Sequence, residues 1–376
     1  MALALELFRS APRYVAARTI GGKVPGLIAG PLAPLRLVTA RDPEPSGQGW
    51  ARVRPLLSGI CGSDLATISG STSFYFTPLV SMPFVPGHEV VGELLDDCGD
   101  LPVGQRVVLS SVLACAARGE DPVCANCAAG DFGRCDRVTV GDLKPGLQTG
   151  YCADTGGGWS RMMAAHRSQL VAVPEAMSDR TALLVEPMAA AVHAALRARV
   201  PDGGTVLVVG AGTVGILTAL AGATDVVRPE HAVKAVRRGE HAVKLTPERG
   251  QDFLLGGVDV AIECVGSGSA LDLALRTTRA GGRVVLSGIP GGGADLTPLW
   301  FRELELVGAY TGGTEDVGGT RRRTFDVAME IAATAPIFED LVGATYPLGR
   351  WREALDHALG AGALGTFKVA FAPQES

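Results

Sequence analysis

The sequence predicts two fold classes in tandem, a mostly-β part up to about residue 185 and then an α/β part built on a parallel sheet. Three observations carry this reading. Short apolar runs bounded by glycine and proline fill the first half, a long Ala/Leu helical pattern begins at Thr181, and a glycine turn joins a strand pattern to a helix pattern at Gly210.

In chain order, Trp50–Arg54, Glu89–Glu93 and Arg106–Leu109 read as short strands. Thr181–Val200 reads as one helix, stopped by Pro201-Asp-Gly-Gly204. Thr205–Val209, Val258–Glu263 and Arg283–Ser287 read as strands with helical segments between them, the alternation of a parallel sheet. Arg352–Leu359 then reads as a helix and Thr366–Phe371 as a last strand. The pentapeptide Glu-His-Ala-Val-Lys at 230–234 recurs at 240–244, too short an echo for a solenoid repeat.

Composition narrows the function classes. The 376 residues leave room for about two domains. With 47% hydrophobic residues, 19% charged residues and a net charge of -5, neither disorder nor nucleic-acid affinity is favoured. The 50 glycines lie in short clusters without a G-X-Y period, which excludes a collagen-like chain. The N-terminus lacks a basic n-region, and the apolar stretch Gly26–Leu35 is broken by Pro31 and Pro34, so a cytoplasmic protein is expected. The charge-free run Gly203–Thr224 carries six glycines and divides into strand, turn and helix, so no membrane span is expected.

Of the eight cysteines, Cys115, Cys124, Cys127 and Cys135 fall within 21 residues. In a chain without an export signal such clustering favours a metal over disulfides. Gly210-Ala-Gly-Thr213-Val214-Gly215 follows an apolar strand and opens a helix. Gly210 permits the tight turn, Gly212 lets a pyrophosphate approach the backbone, and Gly215 lets the helix pack on the strand, a dinucleotide-binding pattern. Three isolated segments complete the set: Cys61-Gly-Ser63-Asp64 in a loop, Gly87-His88-Glu89 after a proline-rich turn, and Glu186-Pro187 within an apolar helix. One thiolate, one imidazole and one carboxylate with an open fourth position make a catalytic zinc site.

These five motifs, in the chain order Cys61-Gly-Ser-Asp, Gly-His88-Glu89, cysteine cluster, Glu186-Pro and Gly-Ala-Gly-Thr-Val-Gly, resemble the zinc-dependent medium-chain dehydrogenase/reductase family of the alcohol and sorbitol dehydrogenase type, over nearly the whole chain from Leu35. The resemblance implies a GroES-like zinc-binding catalytic domain over 1–185 and 340–376, and a Rossmann-type domain over 186–339 that binds NAD or NADP. It implies Cys61 and His88 as zinc ligands, Glu186 as the third protein group, and Glu89 as a carboxylate that can exchange with it. Asp64 is expected to orient His88, and Ser63 to take the proton of the substrate hydroxyl. The cysteine cluster resembles the family's structural zinc lobe: Cys124, Cys127 and Cys135 match three ligands, and the fourth is either Cys115 or Asp121. A homodimer or homotetramer is expected from the same resemblance, through an edge strand near Leu304–Tyr310.

Two departures stand out. Where the family often carries a histidine that passes a proton to solvent, this chain has Ala66. Where the family carries, about 20 positions past the glycine turn, an acidic residue that holds the adenosine ribose, this chain reads Glu230-His-Ala-Val-Lys-Ala-Val-Arg-Arg238. Either the second strand and helix of the parallel sheet are deleted, the favoured reading, or Asp225–Arg228 is a displaced second strand with Arg228 near the ribose. An alcohol or polyol dehydrogenase is therefore expected, the alternative being a zinc hydrolase or lyase on the same scaffold that has lost nicotinamide use. A non-catalytic relative is expected to have lost Cys61, His88 or Glu186. Ser73-Phe-Tyr-Phe76 and Trp300-Phe301 are read as core or as apolar walls of a substrate pocket.

Overall fold

The computed structural model describes residues 1–20, 24–44, 47–220, 225–227, 229–239 and 242–375. It divides into two units, Met1–Glu186 with Ala328–Ser376, and Pro187–Val327.

Alternation of small or β-branched residues with polar ones builds the sheet of the first unit. Its seven strands include the central Trp50–Gly59, which pairs antiparallel with Val90–Leu94 on one side and with Lys368–Phe371 on the other. The C-terminal strand therefore lies beside the run into Cys61, and Ile60 N–H donates to Val369 O at 2.9 Å. Leu5, Phe84, Trp159, Trp351 and Phe371 close one core of this unit, and Val53, Leu94, Val107 and Met163 a second. An N-terminal hairpin of Ala2–Leu7 and Leu35–Ala40 carries the helix Ala11–Ile20 between its strands. That helix buries only Ala17, so it leaves little apolar periodicity to read.

The helix expected over Thr181–Val200 is two helices, Asp179–Leu183 and Val185–Ala198. Pro187 lacks the N–H that would bond the Leu183 carbonyl, so one helix ends there and the next begins, with proline tolerated in its first turn. Glu186 is thereby placed at a helix start.

The second unit holds a five-stranded parallel sheet in the spatial order Glu305–Gly308, Thr278–Leu286, Val258–Glu263, Val206–Val209, Asp225–Val227. The last strand corrects the favoured reading of a deletion: Asp225–Val227 runs parallel to Val206–Val209, and the helix Ala232–Gly239 follows it. It agrees with the alternative reading, a displaced second strand over Asp225–Arg228, along its described residues Asp225–Val227. Arg228, the candidate ribose contact, lies outside the described residues. Val243–Leu245 pairs instead with Phe253–Leu255 in a separate antiparallel hairpin. No helix among the described residues is long and apolar enough to cross a membrane.

The aromatic segments are not core. Phe74 and Tyr75 are exposed on the short helical segment Phe74–Leu79, and Trp300 and Phe301 are exposed on the helix Thr297–Phe301. Neither helix is long enough to turn one face inward while hiding two bulky rings.

At the glycine turn, Gly210 adopts φ +118°, and a Cβ on Gly215 would lie 1.9 Å from Gly210 O. Only glycine fits both places. Gly215→Ala is expected to destabilise the Pro187–Val327 unit by about 1–3 kcal/mol, seen as an earlier unfolding transition in urea.

Candidate active site

The side chains of the site are brought in by separate pieces of backbone, Cys61 with Ser63 and Asp64, His88 with Glu89, and Glu186 and Lys368 each alone. Cys61 ends the run from the central strand and caps the helix Gly62–Ile68; its N–H donates to Asp64 Oδ2 at 3.0 Å. Gly87, at φ +97°, turns the chain so that His88 and Glu89 enter the buried start of Val90–Leu94. The ligand atoms of Cys61, His88 and Glu89 lie within 4.8 Å of one another. Glu186 is outside this tight group but borders it. Burial pushes its carboxyl up to about 7, with His88 and Lys368 pulling against that rise and Glu89 and Asp64 adding to it.

His88 Nδ1 faces Asp64 Oδ1 at 3.5 Å, and its Nε2 lies 3.4 Å from Ser63 Oγ. Burial disfavours a charge on the ring, yet Asp64 and Cys61 hold it well above the usual histidine range. Asp64 Oδ1 and His88 Nδ1 are buried without a close hydrogen bond. A site of this kind favours an added cation. The donor set of sulfur, imidazole nitrogen and carboxylate oxygen, with Nδ1 turned to Asp64 and Nε2 left available, fits zinc.

Lys368 is the site residue that sequence reasoning missed. Its ammonium, 3% exposed, donates to both oxygens of Glu89, at 2.8 and 2.7 Å. Glu89 holds it protonated, above the ordinary lysine range, against the effect of burial. No motif announces it, because a lone lysine in a C-terminal strand reads as a surface residue; only the pairing of that strand beside Gly59 brings it here. Gly59 is required for the fit, since a Cβ there would stand 1.9 Å from Glu89 Oε2. Tyr151, 8% exposed, stacks at 6.0 Å from the His88 ring, and burial keeps its hydroxyl above the usual tyrosine range. Ala66 offers no polar group, and its carbonyl accepts the N–H groups of Ser71 and Thr72.

The second cysteine set also converges. The sulfurs of Cys115, Cys124, Cys127 and Cys135 lie within 4.8 Å of one another, and all four thiols are free. Of the two candidates for fourth member, Cys115 joins the group and Asp121 stays exposed in a turn before Pro122. The Cys124 N–H donates to Cys115 Sγ at 3.3 Å and the Arg137 N–H to Cys135 Sγ at 3.4 Å, donors that favour thiolates. Four sulfurs with no open position fit a closed structural zinc. Between Cys115 and Cys152 the chain has no strand among the described residues, and Arg118 takes the place of one. Fully buried, its guanidinium donates to the carbonyls of Leu113, Val140, Leu143, Lys144 and Gly146.

In the second unit the turn Gly210-Ala211-Gly212 leads into the helix at Thr213, so Thr213, Val214 and Gly215 form its first turn. Here sequence reasoning missed Glu263. Fully buried at the carboxyl end of its strand, it accepts the N–H groups of Val265 and Gly266 at 2.7 and 2.8 Å. It thereby shapes the loop against which Gly210 packs.

Arg118→Met leaves several buried carbonyls without donors. It is expected to lower stability by about 3 kcal/mol or more and to make the cysteine lobe release its metal to a chelator first, followed by urea denaturation and metal counting on the same sample.

Residues 47–175 match the family described as "Alcohol dehydrogenase GroES-like domain", and residues 214–334 the family described as "Zinc-binding dehydrogenase". L-idonate 5-dehydrogenase of Vitis vinifera is 27% identical over 289 residues, covering 69% of this chain and 72% of the relative. L-threonine 3-dehydrogenase of a Chelativorans species is 31% identical over 273 residues, covering 67% and 74%. The crystal structure of L-idonate 5-dehydrogenase from Escherichia coli superposes with a TM-score of 0.62 at 25% identity, covering 90% of this chain and 93% of that one. The signatures of both units, met in order by the same chain, place this protein in the zinc-dependent medium-chain alcohol and sorbitol dehydrogenase family, whose members are oxidoreductases using zinc and NAD or NADP.

Proposed function

We propose that this protein oxidises a secondary alcohol of a polyol or a related hydroxylated metabolite to the ketone, with NAD or NADP as hydride acceptor, and catalyses the reverse reduction. The observation that carries the reading is the buried group of Cys61, His88 and Glu89, bordered by Glu186 and with Ser63 Oγ 3.4 Å from His88 Nε2. Relatives named for sorbitol, L-idonate and L-threonine favour a substrate with several polar groups. On this reading 1–185 and 340–376 form the catalytic domain and 186–339 the dinucleotide-binding domain. The hydrolase or lyase alternative loses its main motive, because the second strand of the parallel sheet is present.

Zinc, when bound, supplies a Lewis acid, and the nicotinamide a hydride acceptor. Cys61, His88 and Glu186 are the residues proposed to hold the catalytic ion, with Glu89 able to exchange for Glu186. Cys115, Cys124, Cys127 and Cys135 are proposed to hold the structural one. Asp64 fixes the His88 ring so that Nε2 is presented. Ser63 accepts the proton of the substrate hydroxyl. Lys368, which donates to both oxygens of Glu89, would compete with the ion for that carboxylate. Gly210, Gly212, Thr213, Val214 and Gly215 receive the pyrophosphate on backbone N–H groups at the helix start.

Titration of zinc-replete protein with NADH and NADPH, followed by nicotinamide fluorescence, tests the reading. Saturable binding of one of them, with two zinc ions per chain, is expected; no binding to folded, zinc-loaded protein overturns it. Cys61→Ser is expected to lose one zinc ion and at least about 100-fold in kcat. Asp64→Asn is expected to cost about 10–100-fold in zinc affinity or activity, measured by competitive chelation and turnover of a sorbitol-type polyol.

A further inference from the structure

We propose that Tyr151, Thr67 and Thr72 form, with Ser63, a chain of hydroxyls that carries the proton lost by the alcohol from the buried site to the surface. The inference rests on the alcohol oxidation proposed above.

Oxidation of an alcohol releases a hydride, which leaves with the nicotinamide, and a proton, which must reach solvent. The first acceptor is deep: Asp64 and His88 beside it are 2% and 5% exposed, and Ala66 has nothing to offer. A row of neighbouring hydroxyls leads out. Ser63 and Thr67 stand four residues apart on one face of the helix Gly62–Ile68. The Tyr151 hydroxyl lies 3.3 Å from Thr67 Oγ1, and the Ser63 side chain adjoins it closely enough to ease its ionisation. Thr67 Oγ1 is also 3.3 Å from Thr72 Oγ1. Thr72 is half-buried and its neighbour Ser73 is exposed, so the row ends at water.

The outer end of the row is held in place. The Thr72 N–H donates to Ala66 O at 3.3 Å, closing the turn over the helix end. The N-terminal helix then clamps that turn: Arg18 donates to Gly70 O at 3.0 Å, and the Tyr14 ring packs at 5.6 Å from Phe74. The neighbouring hydroxyls of Ser69 and Ser71 bond each other and the Ala66 carbonyl, outside the row.

The protons balance along it. The substrate hydroxyl gives its proton to Ser63 Oγ, and the Ser63 proton passes to the Tyr151 oxygen. The Tyr151 proton passes to Thr67 Oγ1. The Thr67 hydroxyl, which at rest donates to Ser63 O at 2.9 Å, turns and donates to Thr72. Thr72 releases a proton to water. Every hydroxyl gains one proton and loses one, so none is left charged. Reduction runs the row in reverse. Tyr151, Thr67 and Thr72 act through Ser63 and are positioning residues of the proton path.

The test separates proton transfer from hydride transfer. Zinc-loaded protein with the oxidised cofactor it binds more tightly is mixed with 2,2,2-trifluoroethanol, an acidic alcohol that is not oxidised, and proton release is followed by an indicator dye in stopped flow. Tyr151→Phe and Thr67→Val are each expected to slow release about tenfold or more, with zinc content, trifluoroethanol affinity and the final amount of proton unchanged. Thr67→Ser, which keeps the hydroxyl, is expected to release at the parent rate. Thr67→Val tests the row by itself if Tyr151→Phe loses zinc or fails to fold. Unchanged release rates in the isosteric variants overturn the relay alone, while no release from the parent chain overturns the alcohol reading and the relay together.

Discussion

The site depends on how negative charge is carried inside a protein. Asp64, Glu89 and Glu186 are between 1% and 9% exposed and are gathered around Cys61 and His88. Carboxylates cannot be left ionised in a low-dielectric interior without positive partners. Among the described residues the ammonium of Lys368 lies with them and neutralises Glu89. Glu186 responds by holding its proton to about neutral pH, and His88 by favouring its charged form. A divalent cation bound among these groups would offset their excess of negative charge.

This constraint explains why the chain returns. Glu89 and Lys368 are 279 residues apart, and they meet because the strand Lys368–Phe371 pairs beside Ser58 and Gly59. The C-terminal segment thus adds a strand to the sheet and supplies the counter-charge of the site in the same stroke. The cysteine lobe solves the opposite problem. Its loop carries many backbone carbonyls and no strand to receive them, and one buried guanidinium and four thiols organise it. The lobe is local, held within one stretch of chain; the group around His88 is assembled from four separate stretches, at residues 61–64, 88–89, 186 and 368.

That difference sets what could be read in advance. The cysteines declared themselves by spacing, the glycine turn by its place between strand and helix, and Cys61, His88 and Glu186 by the family motifs around them. Glu89 came with His88, but its lysine partner had no motif. Tyr151, Thr67 and Glu263 were equally silent, because a tyrosine, a threonine or a glutamate in an apolar stretch is ordinary until its neighbours are known. The N-terminal helix buries one alanine, too little for a periodic signal, although it holds the turn that carries Thr72.

Local pattern determined the two fold classes, the dinucleotide turn, the cysteine lobe and most ligand candidates, since these rest on spacings of a few residues and on backbone geometry that only glycine or proline allows. Pairing in space decided the rest. The second strand of the parallel sheet is seen where Asp225–Val227 pairs with the edge offered by Val206–Val209. The repeated pentapeptide gives the plainest case: Ala232, Val233 and Lys234 are helical, whereas Val243 and Lys244 lie in a strand paired with Leu255 and Leu254. Its alanine and lysine favour a helix and its valine a strand; Ala232 and Ala242 are both buried, so the partner strand at the second copy sets the outcome.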